Sequence, residues 1–169
     1  MSLSSNADTG VVPVDVVRHM SGLEFIKGLS EGRFPRPPIG KLVDFQLTEV
    51  ELGQAVFTAM PGEQHYNPLG SVHGGYISTL LDSCMGCAVH TRLAPGQGFT
   101  SLELKVNFVR RVSAETGPMR AEGKVIHVGG QIATAEGRLI DADGRLLAHG
   151  TTTCLIFRLP ERPGEAAGR

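Results

Sequence analysis

A glycine pair followed by a single carboxylate is the feature of this chain whose residue types and spacing could do chemistry. Residues 67–75 read Asn-Pro-Leu-Gly-Ser-Val-His-Gly-Gly, and they lead into an apolar helix pattern that carries Asp82. Backbone N–H groups at the start of a helix have no partner within the helix and can bind a developing negative charge. A carboxylate on an apolar helix destabilises the fold unless it has a partner or a use. Together these groups have the character of half an active site.

The elements that must position these groups are one long helix and a set of strands. Apolar residues at spacings of three and four predict a helix over residues 74–93. Alternating apolar residues predict a hairpin before it and four strands after it. In the first of those four strands, alternation is expected to place Leu102, Leu104, Val106 and Phe108 on one side. The predicted strands are residues 42–48, 54–60, 101–108, 119–128, 132–140 and 146–157.

The segments outside this core pattern are shorter and more polar. Residues 11–30 have a loosely amphipathic pattern that is typical of one or two short helices. Residues 32–40 include three prolines, and we expect them to break the chain. We therefore divide the chain into an N-terminal extension, residues 1–40, a main domain, residues 41–158, and a flexible polar tail, residues 159–169.

The element order predicts an α+β fold. One long helix cannot cover both faces of a sheet of five or six strands, but a strongly curved antiparallel sheet can wrap around that helix and bury it. The helix should then be apolar over most of its circumference, as its sequence is. This arrangement, a curved antiparallel sheet around one long central helix, is the hotdog fold.

Composition excludes several classes of protein. The chain has 169 residues, of which 41% are hydrophobic and 20% charged, and this is typical of a globular domain with a sizeable core. A net charge of -1 lacks the basic excess of nucleic-acid-binding proteins. No apolar run reaches the length of a membrane span, and Asp8, Asp15 and Arg18 interrupt any secretory core. We expect a cytoplasmic protein with neither a membrane nor a nucleic acid as partner.

The three cysteines are Cys84, Cys87 and Cys154, too few for a disulfide framework. The first two have the CxxC spacing of redox motifs. They lie well inside the apolar helix pattern, however, which favours core packing over redox chemistry or zinc binding. No metal is expected.

The motif Asn-x-x-Gly-x-x-His-Gly-Gly at residues 67–75, the acid on the following helix and the four later strands resemble the hotdog-fold acyl-CoA thioesterases of the PaaI-like, 4-hydroxybenzoyl-CoA thioesterase group. The resemblance covers about residues 42–157. In that family the helical acid acts as nucleophile or general base, and the N–H of the first glycine after the His polarises the thioester carbonyl. The resemblance implies these roles for Asp82 and Gly74 and leaves the choice between nucleophile and base open.

The resemblance also implies further site residues. Asn67 corresponds to the family's loop Asn, although a loop Asn often bonds its own backbone instead. The family's hydroxyl residue on the first strand after the helix corresponds to Ser101, or to Thr100 if the strand slips by one residue. His73 could act as a general base or could only orient the helix start. Asp82 itself could instead be an ion-paired or exposed surface residue.

An acyl-CoA substrate would require room for its acyl group and positive charge for its phosphates. Arg110 and Arg111 follow the first strand after the helix and are candidates for the phosphates, unless they only solvate a strand end. Gly129 and Gly130 could let the pantetheine arm pass close, or could simply supply the positive φ angles of a tight hairpin. The small residues expected to line the acyl site are Gly75, Ser78, Thr79 and Gly86.

The spacing of Gly74 and Asp82 predicts a shared site. Eight residues of continuous helix separate their α-carbons by roughly 12 Å, so that one thioester cannot easily touch both. A two-fold dimer with antiparallel central helices would bring Gly74 of one subunit toward Asp82 of the other. We therefore expect an inactive monomer, a homodimer with composite sites and pairing into a dimer of dimers, with the choice between dimer and tetramer left open.

Two other functions fit the same fold. One is a non-catalytic acyl-CoA-binding module, since a fold does not fix a function. The other is a hydratase or dehydratase, which the HGG motif with a helical Asp favours less. The leading expectation is hydrolysis of an aryl- or medium-chain acyl-CoA to the free acid and coenzyme A, with coenzyme A as part of the substrate and no other cofactor.

Overall fold

The computed structural model describes residues 9–160, so the predictions for the first eight residues and most of the polar tail lie outside it. Residues 63–65 and 114–116 form short 3-10 turns. The helices are α1 (Val14–Val17), α2 (Gly22–Ser30), α3 (Pro38–Leu42) and α4 (Gly74–His90), and the strands are β1 (Phe45–Glu51), β2 (Gln54–Ala59), β3 (Gln97–Phe108), β4 (Met119–Val128), β5 (Ile132–Asp141) and β6 (Leu146–Arg158).

The six strands form one antiparallel sheet in the order β1-β2-β4-β5-β6-β3, and α4 packs against it. This confirms the predicted α+β hotdog fold. The helix contributes side chains that are fully removed from water, among them Leu80, Leu81 and Met85. At Gly123 on β4, an added Cβ would lie only 2.2 Å from the backbone oxygen of Cys84, so glycine lets the strand lie directly against the helix.

The N-terminal segment closes over the end of α4. A capping box between Ser21 and Glu24 starts α2, and the Gly22 N–H donates to the Leu93 carbonyl at 2.9 Å. The rings of Phe25, His90 and Phe99 then contact one another in a row between α2, α4 and β3, the first pair tilted and the second edge-to-face. The segment 9–42 is therefore packed onto the main domain.

Several element boundaries differ from the sequence prediction. The proline-rich stretch contains α3, because Pro38 occupies the first helical turn, where its missing N–H is tolerated. Helix α4 ends at His90, before the predicted limit of residue 93. The strand β3 begins at Gln97, directly after Gly96 with its φ of 77°, and so is longer than predicted.

The predicted role of Gly129 and Gly130 in a positive-φ turn is wrong, since neither residue has a positive φ. The β4–β5 connection is longer than a two-residue turn, and the Gly129 N–H donates to the Ile132 carbonyl at 2.7 Å to close it. At the next hairpin the turn is tight: Gly144 has a φ of 77°, and the Asp141 side chain accepts N–H bonds from Asp143 and Arg145.

The strict alternation predicted for β3 is interrupted by a β-bulge. Ser101 pairs with Cys154 and Glu103 pairs with Thr153, so Leu102 is an extra residue and is 58% exposed. Leu104 still packs against the core. The bulge therefore allows both Ser101 and Leu104 to face α4, which an uninterrupted strand could not do.

Candidate active site

Asp82 lies half-buried at the open side of α4 and has one hydrogen-bond partner within residues 9–160. The Ser101 hydroxyl donates to Asp82 Oδ1 at 2.9 Å. Within residues 9–160 the carboxylate makes no ion pair, so the interpretation of Asp82 as a salt-bridged structural residue is not supported there. The contact also shows that Ser101, and not Thr100, faces the helix. We call these two residues the Asp82–Ser101 pair.

A buried thiol lies behind the Asp82–Ser101 pair. Cys154 is the cross-strand neighbour of Ser101 and is fully buried. Burial raises the pKa of its thiol, and the negative charge of Asp82 adds to this effect. The thiol therefore stays protonated at neutral pH and does not compete with the carboxylate as a nucleophile.

The CxxC cysteines are free thiols in an apolar setting. Burial raises the pKa of Cys84 far above its ordinary value and that of Cys87 to about 12. Redox and metal-binding cysteines need a readily formed thiolate. These two residues instead act as packing groups, as the sequence pattern favoured.

The start of α4 leaves one backbone amide free. His73 is the N-cap, and its Nδ1 accepts the Gly75 N–H at 2.8 Å, which leaves no proton on that nitrogen. The next two N–H groups, of Tyr76 and Ile77, reach the His73 carbonyl. Across residues 9–160 the Gly74 N–H has no protein acceptor. It can therefore bind an oxyanion, while His73 holds the helix start, the second of its two expected roles.

Asn67 builds the loop before α4. Its Oδ1 accepts the N–H groups of Leu69 at 2.9 Å and Ser71 at 3.3 Å, and its Nδ2 donates to Ser71 Oγ at 3.0 Å. Gly70, with a φ of 74°, completes the turn. The amide group thus bonds within its own loop, a use common for Asn in turns, and its contact with a substrate stays a prediction.

A cleft of about 470 Å³ opens beside the free amide. Gly74, Phe108, Arg110 and Arg111 all line it. Arg110 donates to the Leu146 carbonyl at 2.6 Å and Arg111 donates to the Gly70 carbonyl at 2.7 Å, and both guanidinium groups are exposed. Each retains further donors that can bind an anion. The cations predicted for the phosphates thus share a cleft with the predicted oxyanion donor.

The small residues expected around the acyl group have different environments. The hydroxyls of Ser78 and Thr79 donate to the carbonyls of Gly74 and Gly75, each at 2.9 Å. Gly75 is exposed. Gly86 is buried because the Phe99 ring covers it, and an added Cβ would lie 3.0 Å from that ring. The expected space at Gly86 is therefore filled.

Phe108 is a site residue that the sequence did not predict, whereas Gly129 and Gly130 were predicted but lie elsewhere. Phe108 lies over Gly74, where an added Cβ would approach its ring to 3.0 Å, so the missing side chain at Gly74 gives this ring room. The only sequence signal for it is an aromatic residue two positions before Arg110. Gly129 and Gly130 lie at the tip of the β4–β5 hairpin and are not among the residues that line the cleft at Gly74.

Comparison with known proteins agrees with this geometry. The family model described as the thioesterase superfamily matches residues 69–148. A relative from Saccharolobus solfataricus, named as a candidate esterase, is 31% identical over 111 residues, which are 66% of this chain and 77% of that protein. The chain belongs to the thioesterase superfamily.

Two solved structures show the same fold. A phenylacetic acid degradation-related protein from Ralstonia eutropha, described as a candidate thioesterase, is 25% identical with a TM-score of 0.70, and the match covers 78% of this chain and 98% of that one. The PaaI protein of Escherichia coli is 19% identical with a TM-score of 0.70, and the match covers 83% and 97% of the two chains. At 19% identity, the similarity to the PaaI protein shows the fold alone.

Two absences within the described residues concern membranes and metals. Between residues 9 and 160, no helix has the length and apolar character needed to cross a membrane. The same residues contain no cluster of His, Cys, Asp and Glu that could hold a metal ion.

Proposed function

We propose that this protein hydrolyses the thioester bond of an aryl- or medium-chain acyl-CoA. The observation that carries the proposal is the presence of two groups on one helix: a carboxylate that has a hydrogen bond from Ser101 but no ion pair within residues 9–160, and a backbone amide without an acceptor in those residues. Membership of the thioesterase superfamily supports thioester hydrolysis as the class of activity. The acyl-CoA substrate and the residue roles are our inference.

The Gly74 amide is the proposed oxyanion donor. It lies at the N-terminus of α4, where the helix dipole also favours negative charge. A tetrahedral intermediate places its negative charge on the former carbonyl oxygen, and a fixed N–H stabilises that charge without reorganisation. Glycine at this position also allows the substrate to approach the backbone closely.

Asp82 is the proposed nucleophile or general base. In one route its carboxylate attacks the thioester carbon, coenzyme A leaves as the thiol, and water then hydrolyses the acyl-enzyme anhydride. In the other route it accepts a proton from a water molecule that attacks directly. Ser101 holds Oδ1 in either case, which leaves Oδ2 for the reaction.

The proposed active species is a homodimer, with a dimer of dimers as the expected larger assembly. The eight-residue separation along one helix keeps Gly74 roughly 12 Å from Asp82 of the same chain. The edge strand β3 supports self-association, because it is long, has no neighbouring strand on its outer side within residues 9–160, and carries the exposed side chains of Leu102 and Phe108. A second copy would bring the two groups together.

The remaining parts of the proposal concern partners and location. Arg110 and Arg111 would bind phosphates of coenzyme A, which is part of the substrate, and no other cofactor is needed. Gly129 and Gly130 would allow close passage of the pantetheine arm from a neighbouring subunit. A cytoplasmic location agrees with three cysteines that are all free.

Release of free thiol from a panel of aryl- and alkyl-CoA esters tests the function. Asp82→Asn should lower kcat by about 10²- to 10⁴-fold, the usual contribution of a positioned acid or base. The melting temperature checks that the variant is folded. A parent that binds acyl-CoA without turnover would indicate a binding module, and an Asn variant with parental rates would remove Asp82 from the mechanism.

Single-turnover hydrolysis in heavy-oxygen water separates the two chemical routes. Attack by Asp82 leaves label in the enzyme carboxylate after the anhydride is hydrolysed at the protein side. General-base catalysis places the label only in the released acid. Mass spectrometry of the peptide that contains residue 82 measures the difference.

A further inference from the structure

We propose that the cavity between the N-terminal segment and β1 holds the distal end of the substrate's acyl chain, and that the enzyme therefore prefers aliphatic acyl groups long enough to reach it. This inference rests on the proposed function. The cavity, which we call the tail pocket, has a volume of about 280 Å³. Its apolar lining comes from Leu29, Phe34, Phe45, Leu47, Phe57 and Cys87.

The position of Cys87 connects the tail pocket to the reacting centre. Cys87 is five residues beyond Asp82 on α4, which is roughly 7.5 Å along the helix axis. Ser83 follows Asp82 and lies one turn before Cys87 on the same face of the helix. Ser83 is small and half-buried, so an apolar chain can cross the helix there. An acyl group attached at Asp82 thus has a path to Cys87.

The other direction along the helix is blocked. Phe99 covers Gly86, and the His90 ring lies between the rings of Phe99 and Phe25 and contacts both. An acyl chain cannot continue straight along the open face of α4 past these rings. The tail pocket, a partly open cavity with an apolar lining, lies on this side of α4.

The side chains of Arg36 and Phe34 hold the walls of the tail pocket in place. The guanidinium of Arg36 donates to the carbonyls of Gly40 and Phe45, which ties α3 to the start of β1. The Phe34 ring packs against Gly28 of α2, where no side chain could fit. A preformed cavity binds an apolar group without first having to order its walls.

The volume of the tail pocket sets the chain length. An engineered apolar cavity of about 150 Å³ holds benzene, so each carbon requires about 25 Å³. A cavity of about 280 Å³ then takes at most about eleven carbons. Every lining residue except Cys87 lies outside the segment 69–148 that matches the family model, so this preference belongs to this chain and not to the superfamily as a whole.

Binding of S-alkyl-CoA thioethers, which cannot be hydrolysed, tests the tail pocket by calorimetry. For the parent protein, affinity should rise about fourfold for each added methylene over the lengths that enter the cavity. Cys87→Phe should fill the cavity and abolish that rise, while the affinity for the ethyl thioether stays within about twofold. Cys87→Ala removes the thiol without filling the space and should keep the parental profile.

The outcomes separate this inference from the proposed function. An equal loss of affinity for short and long thioethers in Cys87→Phe would overturn the tail pocket, and so would a parental profile in that variant. If Leu47→Phe, which fills the cavity from the opposite wall, also leaves the profile unchanged, the inference fails independently of any defect at Cys87. Turnover of the matching acyl-CoA esters tests hydrolysis separately, since the thioether profile supports the tail pocket even if no ester is cleaved.

Discussion

At the scale of single residues, two adjacent backbone amides at the start of α4 differ in whether they have a hydrogen-bond acceptor. The His73 side chain accepts the Gly75 N–H, which leaves the Gly74 N–H as the amide without an acceptor in residues 9–160. The side chain that caps the helix thus determines which donor remains available to a substrate. Asp82 is restrained in a similar way, because the Ser101 hydroxyl occupies one of its two oxygens.

Replacement of Gly74 by proline tests the oxyanion role directly. Proline is tolerated at the first position of a helix and has no N–H. His73 has a φ of -63° and a ψ of 135°, a conformation that accepts a following proline. We expect Gly74→Pro to lower kcat by about 10²- to 10³-fold, measured as thiol release.

Gly74→Ala is the matched control for this substitution. Its Cβ meets the same Phe108 ring as that of proline, but the N–H is retained. We expect it to keep most of the parental kcat. Equal losses in the alanine and proline variants would assign the effect to the contact with Phe108 and not to the missing donor.

At the scale of elements, the sequence predicts α4 well and β3 poorly. The apolar periodicity of residues 74–93 depends on burial around a whole helix, and the structure buries nearly every side of α4. In β3, the choice between Ser101 and Thr100 depends on the bulge at Leu102. A bulge is set by pairing with β6, which alternation within one strand does not encode. The same limit applies to Gly86, since the Phe99 ring that covers it comes from another element.

The row of rings between α2, α4 and β3 predicts a pH dependence of stability. Removal from water lowers the pKa of His90 from 6.5 to about 4. The unfolded chain therefore binds a proton in a pH range where the folded chain does not, and stability falls as the pH drops from about 6.5 to about 4. The loss from His90 should be about 3 kcal/mol at most.

Urea unfolding at pH 7 and pH 5 measures this effect. His90→Phe keeps an aromatic ring between Phe25 and Phe99 but cannot titrate. The difference in the free energy of unfolding between the two pH values should be smaller in the variant than in the parent. An identical difference in both proteins would mean that His90 does not carry the effect.

The contact between β4 and α4 predicts the effects of two glycine substitutions. In Gly123→Ala the new Cβ would lie 2.2 Å from the Cys84 backbone oxygen, and neither backbone can move freely. We expect the free energy of unfolding to fall by about 2 kcal/mol or more. Gly130→Ala is the control, because an added Cβ meets nothing within 4 Å and should change stability by less than about 0.5 kcal/mol.

At the scale of the whole molecule, the single chain places the two proposed catalytic groups on one rigid helix and too far apart to share a carbonyl. The Gly74 amide is at the first residue of α4, and Asp82 of the Asp82–Ser101 pair lies two turns later. The cleft at Gly74 is open on the side where β3 ends, next to the exposed residues Phe108 and Val109. A second copy docked along β3 would cover these apolar side chains and complete the site.

Mixing two inactive variants tests this central claim most directly. In a mixed dimer of Asp82→Asn and Gly74→Pro subunits, one site combines both defects and the other combines an intact Asp82 with an intact Gly74. After subunit exchange at equal amounts, half of the dimers are mixed, so thiol release should recover to about a quarter of the parental rate. A mixture that forms mixed dimers yet is no more active than the two variants measured separately would contradict a site shared between protomers.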